Sequence, residues 1–422
     1  MPDAAPPLPI QQARRLVADL LAPRPAVFWA DFLASLAVGY AAAAVHLAAP
    51  FLSPVQLAAW LVAGIALFRV SLFMHEIVHF RRGEMTAFKV AWNVLAGIPF
   101  LMPSFLYEHH LGHHNAHHYG TPRDGEYLPL GGARLRTLLG YLAEIVLLPV
   151  LAVARFLIGT PVSFLHPRLR QFVLERCSPL VINLRHRREI PADAPRKLWA
   201  AIEIACFLRA LGLFTFLFVG GIRVGDDVVP LTWHRLAKLY GVAVVALGLN
   251  HVRTLAAHRY RSDGRRMSFA EQLDDSINVE GRTPLVELLF PVGLRYHALH
   301  HLFPSIPYHN LPEAHRRIMR ELPEWRAYRD ATYPTFLAVI AELAAGIRRA
   351  SGQEHPPAER WFALRLADDT FAVADGHTGG APAAPDAEAA EPRLPDAGER
   401  PAAAERTTRP PASPRLPLNR SA

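Results

Sequence analysis

Apolar residues in this chain are bunched into runs long enough to cross a bilayer, and basic residues collect between them. Residues 27–48 form one run and residues 54–74 another, joined by Ala49-Pro50-Phe51-Leu52-Ser53. That link is uncharged and has room only for a tight turn, so the two runs predict a helical hairpin. Arg14, Arg15 and Arg24 precede the hairpin and Arg81-Arg82 follows it. Positive charge collects on the cytoplasmic side of membrane proteins, which puts both open ends there. Residues 200–220 and 231–252 predict a second hairpin, with Asp226 and Asp227 outweighing Arg223 at its turn. Two weaker runs complete the pattern. Residues 92–106, broken by Pro99 and Pro103, suit a partly inserted or capping helix. Residues 137–158, which contain Glu144, Pro149 and Arg155, suit a helix on or partly within the membrane surface.

The polar segments complete the expected layout. Residues 1–26 form an N-terminal polar segment with a short interfacial helix from Gln11 to Leu21. Residues 166–197 carry a dense basic set, from Arg168 to Lys197, and belong to the cytoplasm. Residues 253–350 read as a cytoplasmic helical cap. From residue 351 to 422 the chain is rich in Ala, Pro, Glu and Arg, nearly without aromatic residues after Phe371, and is expected to be a disordered tail. The fold class is therefore all-α. Residues 27–350 form an integral membrane domain with about four transmembrane helices in two hairpins and a cytoplasmic cap.

Composition narrows the classes. The 422 residues are 51% apolar and carry a formal charge of +8. The basic residues flank the apolar runs, so the charge points to a membrane surface and not to nucleic acid. Cys177 and Cys206 give no zinc-type pair and no disulfide framework, which fits a reducing cytoplasmic face.

The histidines change the picture. Six of the 21 fall in residues 109–118, HHLGHHNAHH, and two further groups are HEIVH at 75–79 and HALHH at 297–301. On a helix, positions i, i+3 and i+4 share a face. His75 and His79 have that spacing, as do His297, His300 and His301. The central stretch fits it in two registers, His110/His113/His114 and His114/His117/His118. Neutral imidazole suits iron, copper, zinc and nickel, and eight or more histidines exceed the three or four that one zinc-type ion takes. Two adjacent metals follow. The isolated His46, His166, His186, His234, His355 and His377 read as ordinary polar positions. HEIVH also matches the zinc-peptidase pattern His-Glu-x-x-His, in which Glu76 would be the base. That reading leaves the other histidine groups without a role.

The three groups together resemble the histidine boxes of membrane fatty acid desaturases and related hydroxylases. YEHHLGHHNAHHYGTPRDGEYL, Tyr107 to Leu128, is similar to the region around the second box. HALHHLFPSIPYHNLPEAH is a typical continuation of the third, and the resemblance covers about residues 30–345. It implies two histidine-held irons (Fe2+/Fe3+) at the cytoplasmic ends of the spans. These would use O2 and two electrons to oxidise an unactivated methylene of a lipid or fatty acyl chain. It also implies one more histidine beyond the last span, His258 in NHVRTLAAHRY, with His251 as runner-up. It favours the register His110/His113/His114 with His118 one turn further, and leaves His114/His117/His118 open and His109 as a bystander. Glu76, Asp124 and Glu126 become candidates for orienting ligands by hydrogen bonds.

The leading expectation is an acyl-lipid desaturase in a bacterial inner membrane, its metal site facing the cytoplasm. A hydroxylase of the same architecture acting on an alkane, carotenoid or sphingoid lipid is the alternative. An intramembrane zinc peptidase and a non-catalytic metal-binding protein are the rivals of other classes. No nicotinamide, flavin or haem fingerprint is present in the sequence. No tightly bound organic cofactor is therefore expected, and the electrons would come from a separate ferredoxin or cytochrome with its reductase.

Overall fold

The structure, a computed structural model, describes residues 9–177, 180–218, 221–224, 227–230 and 234–365. It begins with α1, Ile10–Val17, the expected short helix. Ala13 and Val17 are buried in a cluster with Ala314 and Ile318, so α1 docks its apolar face onto the cap.

The first hairpin forms where the apolar pattern places it, as α2, Pro25–Ala48, and α3, Pro54–His79. Each starts with proline in its first turn, where the missing N–H has no intrahelical partner to lose. The Ser53 side chain caps α3 by accepting the Gln56 N–H at 3.2 Å. Leu52 takes the left-handed conformation (φ 59°) that the turn needs, and Phe51 and Leu52 stand exposed at its tip. Helix α4, Thr86–Trp92, runs through a π turn, Asn93–Gly97, and then folds back. The Asn93 carboxamide bonds Ser104 from both ends, which makes this segment a cap and not a span. The one-turn helix α5, His110–His113, follows.

Helix α6, Leu135–Ala154, differs from expectation. It runs through a π turn, Arg155–Gly159, into α7, Thr160–Ser163, and on to α8, Pro167–Arg176. Among the described residues three helical stretches are long and apolar enough to cross a membrane: α2, α3 and Leu135–Ser163. The residues read as breakers are accommodated. Arg155 is buried against Glu203, with its Nε donating to the Cys177 carbonyl at 2.9 Å, and Glu144 is buried facing α10.

The expected second hairpin is present as α9, Arg196–Phe218, and α10, His234–Thr254, linked by the antiparallel strands β1, Gly221–Val224, and β2, Asp227–Pro230. Asp226 lies outside the described residues. These helices are not among the three apolar stretches. Arg196, Lys197, Glu203 and Arg209 interrupt the first, and Arg235, Lys238 and Arg253 the second. Helix α10 packs against α3 and α6, which builds the bundle.

The cap is short elements tied across the chain. Helix α11, Phe269–Asp275, has a capping box at Ser268 and Glu271. Strand β3, Asn278–Val279, pairs in parallel with β4, Thr332–Tyr333. Between them lie α12, Pro284–Leu289, α13, His297–Leu302, α14, Leu311–Glu321, and α15, Arg326–Asp330. Helix α16, Phe336–Ser351, follows, and the ordered chain then passes the expected boundary at residue 350. Residues 358–365 are helical, and Trp361 is fully buried with its indole N–H on the Gly120 carbonyl at 2.9 Å. Residues 366–422 of the expected tail lie outside the described residues.

Candidate metal centre

The last turn of α3 carries His75 and His79, α5 and the residue after it carry His110, His113 and His114, and α13 carries His297, His300 and His301. His258 follows α10 in a short bridge to Ser276. Two groups of ring nitrogens result. His75, His79, His110, His114 and His300 form one, and His113, His258, His297 and His301 form the other; within each, the candidate ligand atoms lie within 4.8 Å of one another.

Helical geometry explains the partition. Residues at i and i+4 are offset by about 40° around the axis, whereas i+3 sits about 60° to the other side. The pair His110/His114 therefore faces the five-histidine group while His113 faces the other. In α13 the pair His297/His301 faces the four-histidine group and His300 crosses to the first. The second and third boxes thus serve both positions, and the first box serves only the five-histidine group.

The nitrogens fit metal ions. Nε2 atoms stand 3.1 Å apart for His110/His114, His79/His300, His113/His258 and His297/His301, and 2.9 Å apart for His258/His297. Two ligands ~2.1 Å from one ion, at the right to tetrahedral angles of such sites, are ~3.0–3.4 Å apart. Buried ring nitrogens without any hydrogen-bond partner include both of His75 and the Nδ1 atoms of His110, His114, His297 and His300. Burial pushes His110, His114, His258, His297, His300 and His301 well below the usual imidazole range, and neighbouring histidines push them further. They stand as neutral donors, the form that binds metal.

His113 goes the other way. Burial lowers its basicity, but the Asp124 carboxylate on its Nδ1 at 2.8 Å more than reverses this. Asp124 is itself braced by the Gly120 and Glu126 N–H groups, both at 2.9 Å. His258 is oriented by the Tyr119 hydroxyl, 2.8 Å from its Nδ1 and 2.9 Å from Asp275. Tyr127 donates to the same Asp275 oxygen at 3.0 Å. Tyr119, Tyr127 and Asp275 were not singled out in the sequence. Only the fold brings residue 275 to residue 119, and no spacing signals it.

Several expectations change. His117 and His118 join neither group. Helix α5 is a single turn, and the chain leaves it at Asn115, whose side chain accepts the His117 N–H at 2.8 Å, so these two do not continue its face. His109, expected to be a bystander, does lie outside both groups, bonded to the Leu106 carbonyl and Glu126. Glu126 contacts His109 and Tyr107, and stands 4.0 Å from His110 Nδ1. Glu76 lies 3.7 Å from His75 Nδ1, too far to hydrogen-bond, and instead accepts the Tyr308 N–H at 2.9 Å. It anchors the loop after α13, which removes it from the role of a peptidase base. His251 stays on α10, with its Nε2 3.6 Å from Glu144.

A cavity of about 1190 Å³ opens beside His75 and runs between α3, α6 and α10. It exceeds the ~300–1,000 Å³ of ordinary small-molecule pockets. Its wall on α10 extends from Leu236 to Thr254, and that stretch of helix is ~27 Å long. Leu67, Leu148, Val153, Leu157, Ala243 and Leu247 make much of the wall apolar.

Comparison with known proteins agrees with this geometry. The fatty acid desaturase family profile matches residues 52–333. A ceramide hydroxylase of Caulobacter vibrioides (strain NA1000 / CB15N) is 37% identical over 349 residues, which are 81% of this chain and 95% of that protein.

Proposed function

The chain belongs to the fatty acid desaturase family and is an oxidoreductase. From that premise we propose that it is an integral membrane hydroxylase of a long-chain lipid of the ceramide class. The observation that carries this reading is the 37% identity to a ceramide hydroxylase across 95% of that protein's length. The nine grouped histidines supply the ligand set. The reaction balances as R–H + O2 + two electrons + two protons → R–OH + H2O.

Two irons held by the two histidine groups would supply the oxidising power that no acid or base can, because a methylene offers no acidic proton. The chain's own residues do the rest. The cavity between α3, α6 and α10 takes the hydrocarbon, excludes water and holds one carbon toward His75 and its neighbours. Asp124 and Tyr119 fix the ring orientations of His113 and His258. The electrons come from a separate ferredoxin or cytochrome with its reductase. The arginines around the hairpin ends support an orientation with the histidine face toward the cytoplasm, in a bacterial inner membrane.

Desaturation, the leading expectation from the sequence, shares the first hydrogen abstraction and is the second reading. The test is the lipid profile of a ceramide-containing host with and without the protein, with iron and a competent donor present. Ceramide gaining one oxygen, absent from a His300→Ala control, is the expected result. A new double bond in its place would establish the desaturase reading, and an unchanged profile would overturn both.

A further inference from the structure

The cavity wall is not uniformly apolar. Polar side chains gather where α6 and α10 approach the histidines. Tyr107 stacks on His110 with ring centroids 4.8 Å apart, and Tyr260, 5.3 Å from His258, donates to the Thr254 carbonyl at 2.8 Å. Tyr107 lines the cavity, as do Glu144, Asn250 and Arg253.

Two of their atoms make no hydrogen bond. Glu144 is 5% exposed, and its Oε2 stands 3.6 Å from His251 Nε2, too far for a hydrogen bond. Arg253 Nε is also out of solvent and unbonded, while its Nη2 donates to Asn250 Oδ1 at 2.9 Å. A buried acceptor and a buried donor left open on one wall cost free energy unless something polar fills them. Elsewhere on the wall the polar groups are already used. Tyr40 and Tyr240 donate to the Leu95 and Val146 carbonyls, and His46 bonds the Gln56 and Lys238 carbonyls. Arg209 also lines the cavity.

The charge balance narrows the ligand. Glu126 and Glu144 line the cavity along with Arg209 and Arg253, so its lining carries no excess of positive charge to select a phosphate or a carboxylate. A neutral group with both donors and acceptors fits, as an amide with adjacent hydroxyls does.

We propose that Glu144, Asn250 and Arg253 form the polar subsite that holds the amide and hydroxyl groups of a neutral N-acyl amino-alcohol lipid. The new oxygen therefore enters within a few carbons of that headgroup. This rests on the hydroxylase reading for its chemistry, but not for its binding. The hydrocarbon then runs away from the histidines along α10.

The test uses the full-length protein in nanodiscs of neutral lipid. Displacement of a fluorescent ceramide is measured with unlabelled ceramide, with a chain-matched ceramide O-methylated at its hydroxyls, and with the free fatty acid. Ceramide should displace at ~10–100-fold lower concentration than the O-methylated form, the range expected for losing hydrogen bonds in a dry site. Glu144→Gln, which keeps the shape of the side chain, and Arg253→Met should bring that ratio close to one. Bound iron and thermal stability report that each variant is folded, with Asn250→Ala as the second choice at this wall.

Equal displacement by the fatty acid, or a ratio unchanged in folded variants, overturns the subsite. So does fragmentation mass spectrometry that places the oxygen mid-chain or at the tail, as an acidic lipid anchored on Arg209 would give. Headgroup-selective binding without any oxidised product would support the subsite and retire the hydroxylase reading.

Discussion

The hydroxyl of Tyr119 offers the sharpest test of how the second histidine group is held. Tyr119→Phe deletes one oxygen and leaves the ring, which is fully buried and stacked on His113 with centroids 5.3 Å apart. The oxygen lies 2.8 Å from His258 Nδ1, 2.9 Å from Asp275 and 3.2 Å from Ser276 Oγ. Without it, His258 Nδ1 has Ser276 Oγ at 3.5 Å and Asp275 at 3.8 Å, the one marginal and the other out of range. Asp275 keeps the Tyr127 hydroxyl at 3.0 Å and the Arg261 N–H at 3.2 Å, so the surrounding fold stays anchored. An unsatisfied buried partner costs ~1–3 kcal/mol, and losing a group that orients a metal-binding histidine typically costs ~10–100-fold in affinity. The two ranges agree, since tenfold is ~1.4 kcal/mol. Chelator competition on anaerobically purified protein, read as iron per chain, should show one iron leaving ~10–100-fold more readily and the other unchanged. The four-histidine group has no spare ligand, whereas the five-histidine group does not use His258 at all. Equal weakening of both irons, or of neither, would refute the assignment of His258 and Tyr119 to one position.

Three further outcomes follow from particular contacts. Replacing His117 and His118 together with alanine should leave two irons per chain, and His301→Ala should leave about one; iron analysis showing the reverse would restore the other register of the central box. Burial lowers His315 from the usual imidazole range to about 4, with the Tyr328 hydroxyl 2.7 Å from its Nδ1. The unfolded chain, titrating near 6.5, then binds the extra proton first, so stability from this residue is full above that pH and is lost as pH falls toward 4. The loss amounts to about 3 kcal/mol for this 3% exposed side chain, and thermal melts of His315→Gln in detergent should decline less steeply than wild type between pH 6.5 and 4. Truncation after residue 365 should preserve the melting temperature, whereas truncation after residue 350 should lower it, because Trp361 is buried with its indole on Gly120. Trp361→Ala should reproduce most of that loss, ~3–5 kcal/mol.

The same residues show why one part of the bundle was legible in the sequence and another was not. Helices α2 and α3 are legible because the rest of the protein leaves most of their apolar surface uncovered. In their most apolar windows only 22% and 39% is buried, so nearly every position must be apolar. Leu135–Ser163 is as little buried, at 22%, yet its local pattern suits a helix on or partly within the membrane surface because Glu144, Pro149 and Arg155 interrupt it. Arg155 is satisfied by Glu203, 48 residues away, and Glu144 faces His251 on α10. A charge inside an apolar run counts against a span only until its partner is known. Partners this distant are visible in the fold and not in a local window.

The histidine boxes show the same limit at closer range. Spacing alone establishes that each box can present two or three imidazoles, and it allows two registers in residues 109–118 equally well. What separates them is Asn115, which ends α5 after one turn and holds the His117 N–H. A helix continued past Asn115 would have carried His117 and His118 on toward the same face. An asparagine in a histidine-rich stretch looks like filler, but its short carboxamide competes with the helix for backbone N–H groups. Spacing likewise does not show that the two members of each His-His doublet part company. His113 and His114, and His300 and His301, each sit ~100° apart on their helices and so fall in different histidine groups. The doublet is what lets one helical turn serve two metal positions, and this is why three short boxes and His258 are enough to furnish both groups.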